Sequence, residues 1–115
     1  MPVGRAENDG PDGQSIVGIE ELVARATEAT TFLKALGHDG RLTILCHLLD
    51  GEKSVTQLEN LLSARQAVVS QQLARLRYEG LVSARRDRQA IYYSILDPRV
   101  RDMLGQLARM FCDLA

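Results

Sequence analysis

No tryptophan occurs in the sequence, and phenylalanine and tyrosine together make up only 4% of it. A core built with so few aromatics must be filled by Leu, Val, Ile and Ala, a composition that suits packed helices. No stretch approaches the roughly 20 apolar residues needed to cross a bilayer. Met1–Gly18 lacks the apolar centre of a secretory signal, so the chain is expected to be cytoplasmic, with no membrane partner. Cysteine is scarce as well: Cys46 and Cys112 lie 66 positions apart. In a reducing cytosol such a pair is not a permanent staple, and both are free thiols until something oxidises them. There is no C-x-x-C of the kind a thiol oxidoreductase carries at a helix start. No phosphate loop, Ser-His-Asp grouping or carboxylate pair offers another enzymatic reading. The expectation is a protein that is not an enzyme and needs no cofactor.

The chain has 115 residues, which is one domain's worth, and 45% of them are apolar. A domain this small buries a limited fraction of its surface, so a permanent partner would help it. The net charge of −1 disfavours nucleic acid until it is divided along the chain. Residues 1–64 carry 5 Lys/Arg and 10 Asp/Glu, whereas residues 65–115 carry 9 Arg and 5 Asp/Glu. Arg65, Arg75, Arg77, Arg85, Arg86 and Arg88 face only Glu79 and Asp87 within 65–88. A charge run is usually a solvated surface, but one concentrated like this is also the footprint of a polyanion site.

Residues 1–18, rich in Gly, Asp and Pro, are expected to form a disordered arm ahead of a single domain over 19–115. From Glu20 the pattern is helical, with Leu22, Ala26, Ala29, Leu33 and Leu36 on one face and Gly37 as the stop. Asp39 is expected to cap a second helix whose apolar stripe is Leu42, Leu45, Cys46 and Leu49. Ser54 with Gln57 is a capping-box pattern, opening a short third helix with Val55, Leu58, Leu61 and Leu62 inward. After a break at Ser63-Ala64 comes a fourth helix, about 65–79, burying Val69, Leu73 and Leu76. Two extended runs follow, 81–86 and 90–95, separated by Asp87-Arg88-Gln89 as a hairpin turn. Asp97-Pro98 starts a last helix carrying Val100, Met103, Leu104, Leu107 and Phe111. The fold class is mainly α with a small β-hairpin wing, a winged helix-turn-helix.

On the fourth helix the side away from Val69, Leu73 and Leu76 presents Ala67, Ser70, Gln71 and Ala74, with Gln66 at the flank. A helix lying in a major groove needs such small or amide-bearing residues, able to hydrogen-bond base edges without bulk. Arg65, Arg75 and Arg77 sit at the periphery, where phosphates would be. Arg85, Arg86 and Arg88 are expected at the tip of the hairpin, where they would position the protein on the backbone rather than read sequence. Double-stranded DNA is the expected partner.

The run from Arg65 through Ser70-Gln71-Gln72-Leu73 to Val82 resembles the recognition helix of ArsR/SmtB-family repressors. Ala35-Leu36-Gly37-His38-Asp39-Gly40-Arg41-Leu42 is similar to that family's LADPTRL box, with His-Asp-Gly replacing the commoner residues. The strand ending Ile91-Tyr92-Tyr93-Ser94-Ile95 matches too, and the likeness spans about 20–112. It implies a homodimer joined by the first and last helices, a palindromic operator, and an inducer that releases the repressor. The apolar stripes of those two helices agree, since little else in a monomer could cover them.

The family's common metal site resembles E-L-C-V-C-D-L, but here the stretch reads Glu52-Lys53-Ser54-Val55-Thr56-Gln57-Leu58, with hydroxyls where the thiolates belong. A second family site needs histidines late in the chain, and none follows His47. No metal is expected by these routes. Cys46, in the apolar arc of its helix, and Cys112, at an arc edge near Gly105 and Ala108, remain. Free cysteines are ordinarily small buried hydrophobes. Their joint placement, however, is similar to the dithiol subgroup of the family, which responds to sulfide-derived persulfides and related oxidants. That likeness implies a disulfide or polysulfide bridge between Cys46 and Cys112 within one subunit. The alternative is a soft-metal sensor using the same cysteines, although two thiolates with His47 are too few or badly placed for tetrahedral zinc. His47 is not expected to touch Cys46, since adjacent helical residues point about 100° apart.

Overall fold

The computed structural model describes residues 17–113, so most of the expected arm, residues 1–16, lies outside the described residues. The chain divides into two compact units between Thr31 and Phe32. Val17 and Gly18, expected to belong to the arm, instead form the turn into helix α1 (Ile19–Ala24), with Gly18 in the left-handed region at φ +84°. A second helix, α2 (Ala26–Leu36), follows at once.

The single first helix expected from the apolar spacing is therefore two helices. Arg25 leaves helical geometry (φ −109°, ψ 24°) while its N–H still bonds Glu21 and its carbonyl already accepts from Ala29. Its guanidinium lies 3.4 Å from Glu21 and 3.6 Å from Glu28, so one side chain spans the break. Arginine is a good helix former, and nothing in the residue type announces this interruption.

The second unit holds the end of α2, then α3 (Asp39–Leu48), β1 (Lys53–Ser54), α4 (Val55–Leu62), α5 (Gln66–Tyr78), β2 (Val82–Asp87), β3 (Ala90–Ile95) and α6 (Pro98–Phe111). His38, not Asp39, caps α3: with extended backbone, its Nδ1 accepts the Gly40 N–H at 3.0 Å. Asp39 becomes the first helical residue, where its charge favours the helix N-terminus. The capping box at α4 is complete, the Gln57 N–H donating to Ser54 Oγ and the Ser54 N–H to Gln57 Oε1. Ser63, at φ +52°, ends α4 in the left-handed region and makes the tight break before α5.

The wing is a three-stranded antiparallel sheet in the order β1-β3-β2. The two-residue β1, too short to leave a sequence signal, pairs Lys53 with Tyr93 and Ser54 with Tyr92. Asp87 pairs with Ala90, one residue beyond the expected strand end, so the turn is Arg88-Gln89 with Arg88 at φ +61°. The core gathers Ala35, Ile44, Leu45, Leu48, Leu58, Val69, Leu73, Leu76, Leu81, Val82, Val100 and Leu104. It is aliphatic, as the scarcity of aromatics requires.

Asp97 caps α6 through the Arg99 N–H at 2.9 Å, and it also accepts from the Arg99 guanidinium. These hydrogen bonds hold its carboxyl below the usual carboxylate range. A depressed acid contributes stability in full above its unfolded value, about 3.9. That contribution fades as the pH falls through the lower folded value. Asp97→Ala should therefore cost about 1–2 kcal/mol at neutral pH, with the deficit shrinking in acid. Urea unfolding at both pH values measures it, and an equal deficit at low pH would contradict the assignment.

Candidate nucleic-acid interface and thiol pair

Helix α5 is anchored from within by Val69, Leu73 and Leu76, each at most 1% exposed. That fixes the opposite face outward: Gln66, Ala67, Ser70, Gln71 and Ala74 are all exposed. Arg65 is the exposed N-cap, its side chain making no capping hydrogen bond. The helix begins with no acidic residue and ends with Arg75 and Arg77. A partial positive charge at the helix start with amides on the outer face suits an approach to a polyanion. Val68, which sequence reasoning did not single out, is also 47% exposed on this helix.

The six arginines are not equivalent. Arg75 donates through Nε to Glu79 at 3.0 Å, one turn along α5. Arg85 is not at the wing tip but two pairs back, opposite Tyr92. Its guanidinium clasps Glu52 with both Nε and Nη2 and lies 4.9 Å over the Tyr92 ring. The pairing favours both charged forms, lowering the Glu52 carboxyl and raising Arg85 from their ordinary values. Glu52 and Tyr92 thus hold the wing, a role with no local sequence signal because 33 positions separate Glu52 from Arg85. Arg86, Arg88 and Arg77 are exposed. Arg86 and Arg88 stand at the hairpin end, with Arg88 inside the turn itself.

Cys46 is exposed, which corrects its expected place in the apolar arc of α3. The core side of that helix is Ile44, Leu45 and Leu48, with Leu42 and Leu49 half-buried, and Cys46 points off this stripe. Cys112 is exposed too, at the C-cap of α6, where its N–H bonds the Ala108 carbonyl at 2.9 Å. Partial burial of its sulfur pushes the Cys46 thiol up, and the charge of Cys112 adds to the same direction. At neutral pH such a thiol stays protonated more than an ordinary one, which leaves less of the thiolate that acts as nucleophile or metal ligand. His47 turns to another side, lining a cleft with Thr43, Leu61, Val68 and Gln72. Among the described residues no three His, Cys, Asp or Glu side chains gather as a metal site. Nor is any described helix long and apolar enough to cross a membrane.

Residues 38–84 match the family described as "Bacterial regulatory protein, arsR family". Over 96 residues the chain is 38% identical to the transcriptional activator HlyU of Vibrio cholerae, covering 84% of this chain and 89% of HlyU. It is 41% identical over 96 residues to the biofilm growth-associated repressor of Agrobacterium fabrum, covering 84% of this chain and 82% of that protein. The repressor BigR from Xylella fastidiosa superposes with a TM-score of 0.79 at 36% identity, over 82% of this chain and 96% of BigR. Reduced HlyU from Vibrio cholerae gives 0.75 at 38% identity, over 83% of this chain and 100% of that one. Regulators of transcription, activating and repressing, thus surround the sequence, and none is an enzyme. With this fold and these relatives, the chain belongs to the arsR family of bacterial regulatory proteins: it is a DNA-binding transcription regulator built on a winged helix-turn-helix.

Proposed function

We propose that the protein is a homodimeric repressor, its DNA-binding and dimerisation functions both carried by residues 19–115. It holds a palindromic operator through α5 and the wing, and lets go when Cys46 and Cys112 of one subunit are bridged by reactive sulfur species or another oxidant. The observation that carries the reading is the division of α5 into a sealed inner face and an outer face of Gln66, Ala67, Ser70 and Gln71, with Arg86 and Arg88 on the adjoining wing. The effect of Cys112 on the Cys46 thiol, with both cysteines exposed, supports the sensing half. So does the existence of a relative, HlyU, in a structure specified as reduced.

Fluorescence anisotropy on a cognate duplex, repeated across salt concentrations, tests the DNA-reading half. Binding should fall steeply with salt as phosphate contacts release counterions. Gln71→Ala should cost about 1–3 kcal/mol on the cognate duplex and relax its specificity. Arg86→Ala and Arg88→Ala should weaken all sequences alike, each reducing the salt slope by about one. Arg85→Ala should change the slope less, because Glu52 already balances that charge. Unchanged cognate affinity for Gln71→Ala would overturn the assignment of the reading face.

A further inference from the structure

The geometry points to Arg41 as the positioning residue that sets how α5 is turned towards DNA, acting through Gln72. The inference rests on α5 being the reading helix.

Arg41 lies in the first turns of α3, yet its guanidinium serves two other helices. Nε donates to the Ala35 carbonyl at 2.7 Å and Nη2 to the Lys34 carbonyl at 3.0 Å. Both acceptors belong to the last turn of α2, where helix carbonyls run out of internal N–H partners. Nη1 reaches the other way and donates to Gln72 Oε1, on α5, at 3.1 Å. Arginine is donor-only and rigidly forked, so one planar group joins the end of α2 to the middle of α5. It also decides the orientation of the Gln72 amide, whose oxygen must face the guanidinium. The stem of Gln72 passes close over the start of α3: a Cβ placed on Gly40 would lie 3.8 Å from its Cγ.

A directional tie is needed at this point. The inward residues of α5 are Val69, Leu73 and Leu76, and burial of such side chains is non-directional. It sets which face of α5 points outward and how deep the helix sits, but it supplies no directional bond to fix the final degrees of rotation about the helix axis. Side-chain tips stand roughly 5–6 Å from a helix axis, so a 20° rotation displaces them by about 2 Å. That exceeds the tolerance of a base-edge hydrogen bond, whose useful range spans about 0.5 Å. Gln72 is the immediate neighbour of Gln71 and Ser70 is two residues back, so a hydrogen bond that stops Gln72 from turning stops them as well. The half-buried position of Gln72 keeps it off the outer face, which separates holding from reading.

A double-mutant cycle on operator affinity tests this. Gln72→Leu cuts the tie to α5 but leaves Arg41 on the α2 carbonyls, so the variant should keep the wild-type urea midpoint. Its affinity for the cognate duplex should fall tenfold or more while affinity for a scrambled duplex stays unchanged. Adding Gln72→Leu to Arg41→Met should then cost nothing further. Arg41→Lys, which keeps the charge but not the fork, should lose as much discrimination as Arg41→Met, and it replaces Arg41→Met in the cycle should the latter fail to fold. Full cognate affinity in Gln72→Leu, losses that multiply in the double variant, or full rescue by lysine would each overturn the proposal. Gln71→Ala in the same assay separates the two readings. If it is silent, α5 is not the reading helix; if it weakens binding while Gln72→Leu does not, only the role of Arg41 falls.

Discussion

Treating the reduced protein with a persulfide donor should lower its operator affinity by about 5–150-fold, the ordinary range of coupling between two sites, and neither Cys46→Ser nor Cys112→Ser should respond. The bridge needs two thiols and an acceptor for two electrons. With a persulfide as oxidant, the cysteine thiols give up their hydrogens and the donor leaves as a thiol together with hydrogen sulfide. Further persulfides can leave extra sulfur atoms between the cysteines, each donor again departing as a thiol. A direct disulfide demands Cα atoms within about 7 Å, whereas added sulfurs relax that limit, so persulfide should act at lower dose than peroxide. Cys112 sits at the C-cap of α6 and Cys46 on α3. A link between them therefore pulls a helix proposed to join the dimer against the scaffold beneath α5. Because the Cys46 thiol is pushed up, its thiolate is a minor species at neutral pH. Bridging should accelerate as pH rises towards that raised value, about tenfold per unit where attack by Cys46 limits the rate. Mass spectrometry of the product, paired with operator binding by both serine variants, decides the matter. Release of either variant as readily as wild type would eliminate the two-cysteine mechanism.

What the sequence makes legible of this structure depends on how local each determinant is. Periodicity at three and four residues placed Val69, Leu73 and Leu76 correctly in the core, because burial of one helix face is written in that helix alone. The capping pairs at Ser54 and Asp97 were equally readable, since cap and capped N–H stand two or three residues apart. The break at Arg25 was not, because the ion pairs that span it use residues common on any helix surface. The sequence points to Asp39 as the N-cap of α3, one residue past His38, because aspartate is the commoner cap and histidine a rarer one. At the interface the composition of the outer face of α5 was plain, while the standing of each arginine was hidden. Arg85 is engaged by Glu52 and Tyr92, partners that only the pairing of β1 and β2 with β3 brings near. The leucines around Cys46 point to the apolar arc, yet Ile44 and Leu48 fill the inner face and leave the thiol outside. That correction favours a sensor, since a reagent must reach the sulfur.

Loss of the dimer should have the largest effect of all. Among the described residues, each unit leaves some large apolar side chains open to water. In the first, α1 buries nothing, with Leu22 50% and Val23 71% exposed; in the second, Met110 and Phe111 are 69% and 78% exposed. Burying such side chains is worth about 1.5–3 kcal/mol each, and a second copy of the chain is the proposed cover. Leu104 is the wrong place to test this, because it is 6% exposed within the chain's own core, so an aspartate there would unfold the subunit. Leu22→Asp and Phe111→Asp place the charge where the single chain is open to water, so each subunit should keep its fold. Circular dichroism should therefore match wild type, while sedimentation should show monomers in place of a dimer at micromolar concentration. Two half-sites one turn of DNA apart, about 34–36 Å, then have to be filled separately. Linking two binding modules raises avidity by roughly 10²–10⁴, and operator affinity should drop by that factor. Binding to a single half-site should survive, because α5 and the wing are intact. Sedimentation of the wild-type protein as a monomer at micromolar concentration, or full operator affinity in both variants, would refute the dimer and its proposed faces.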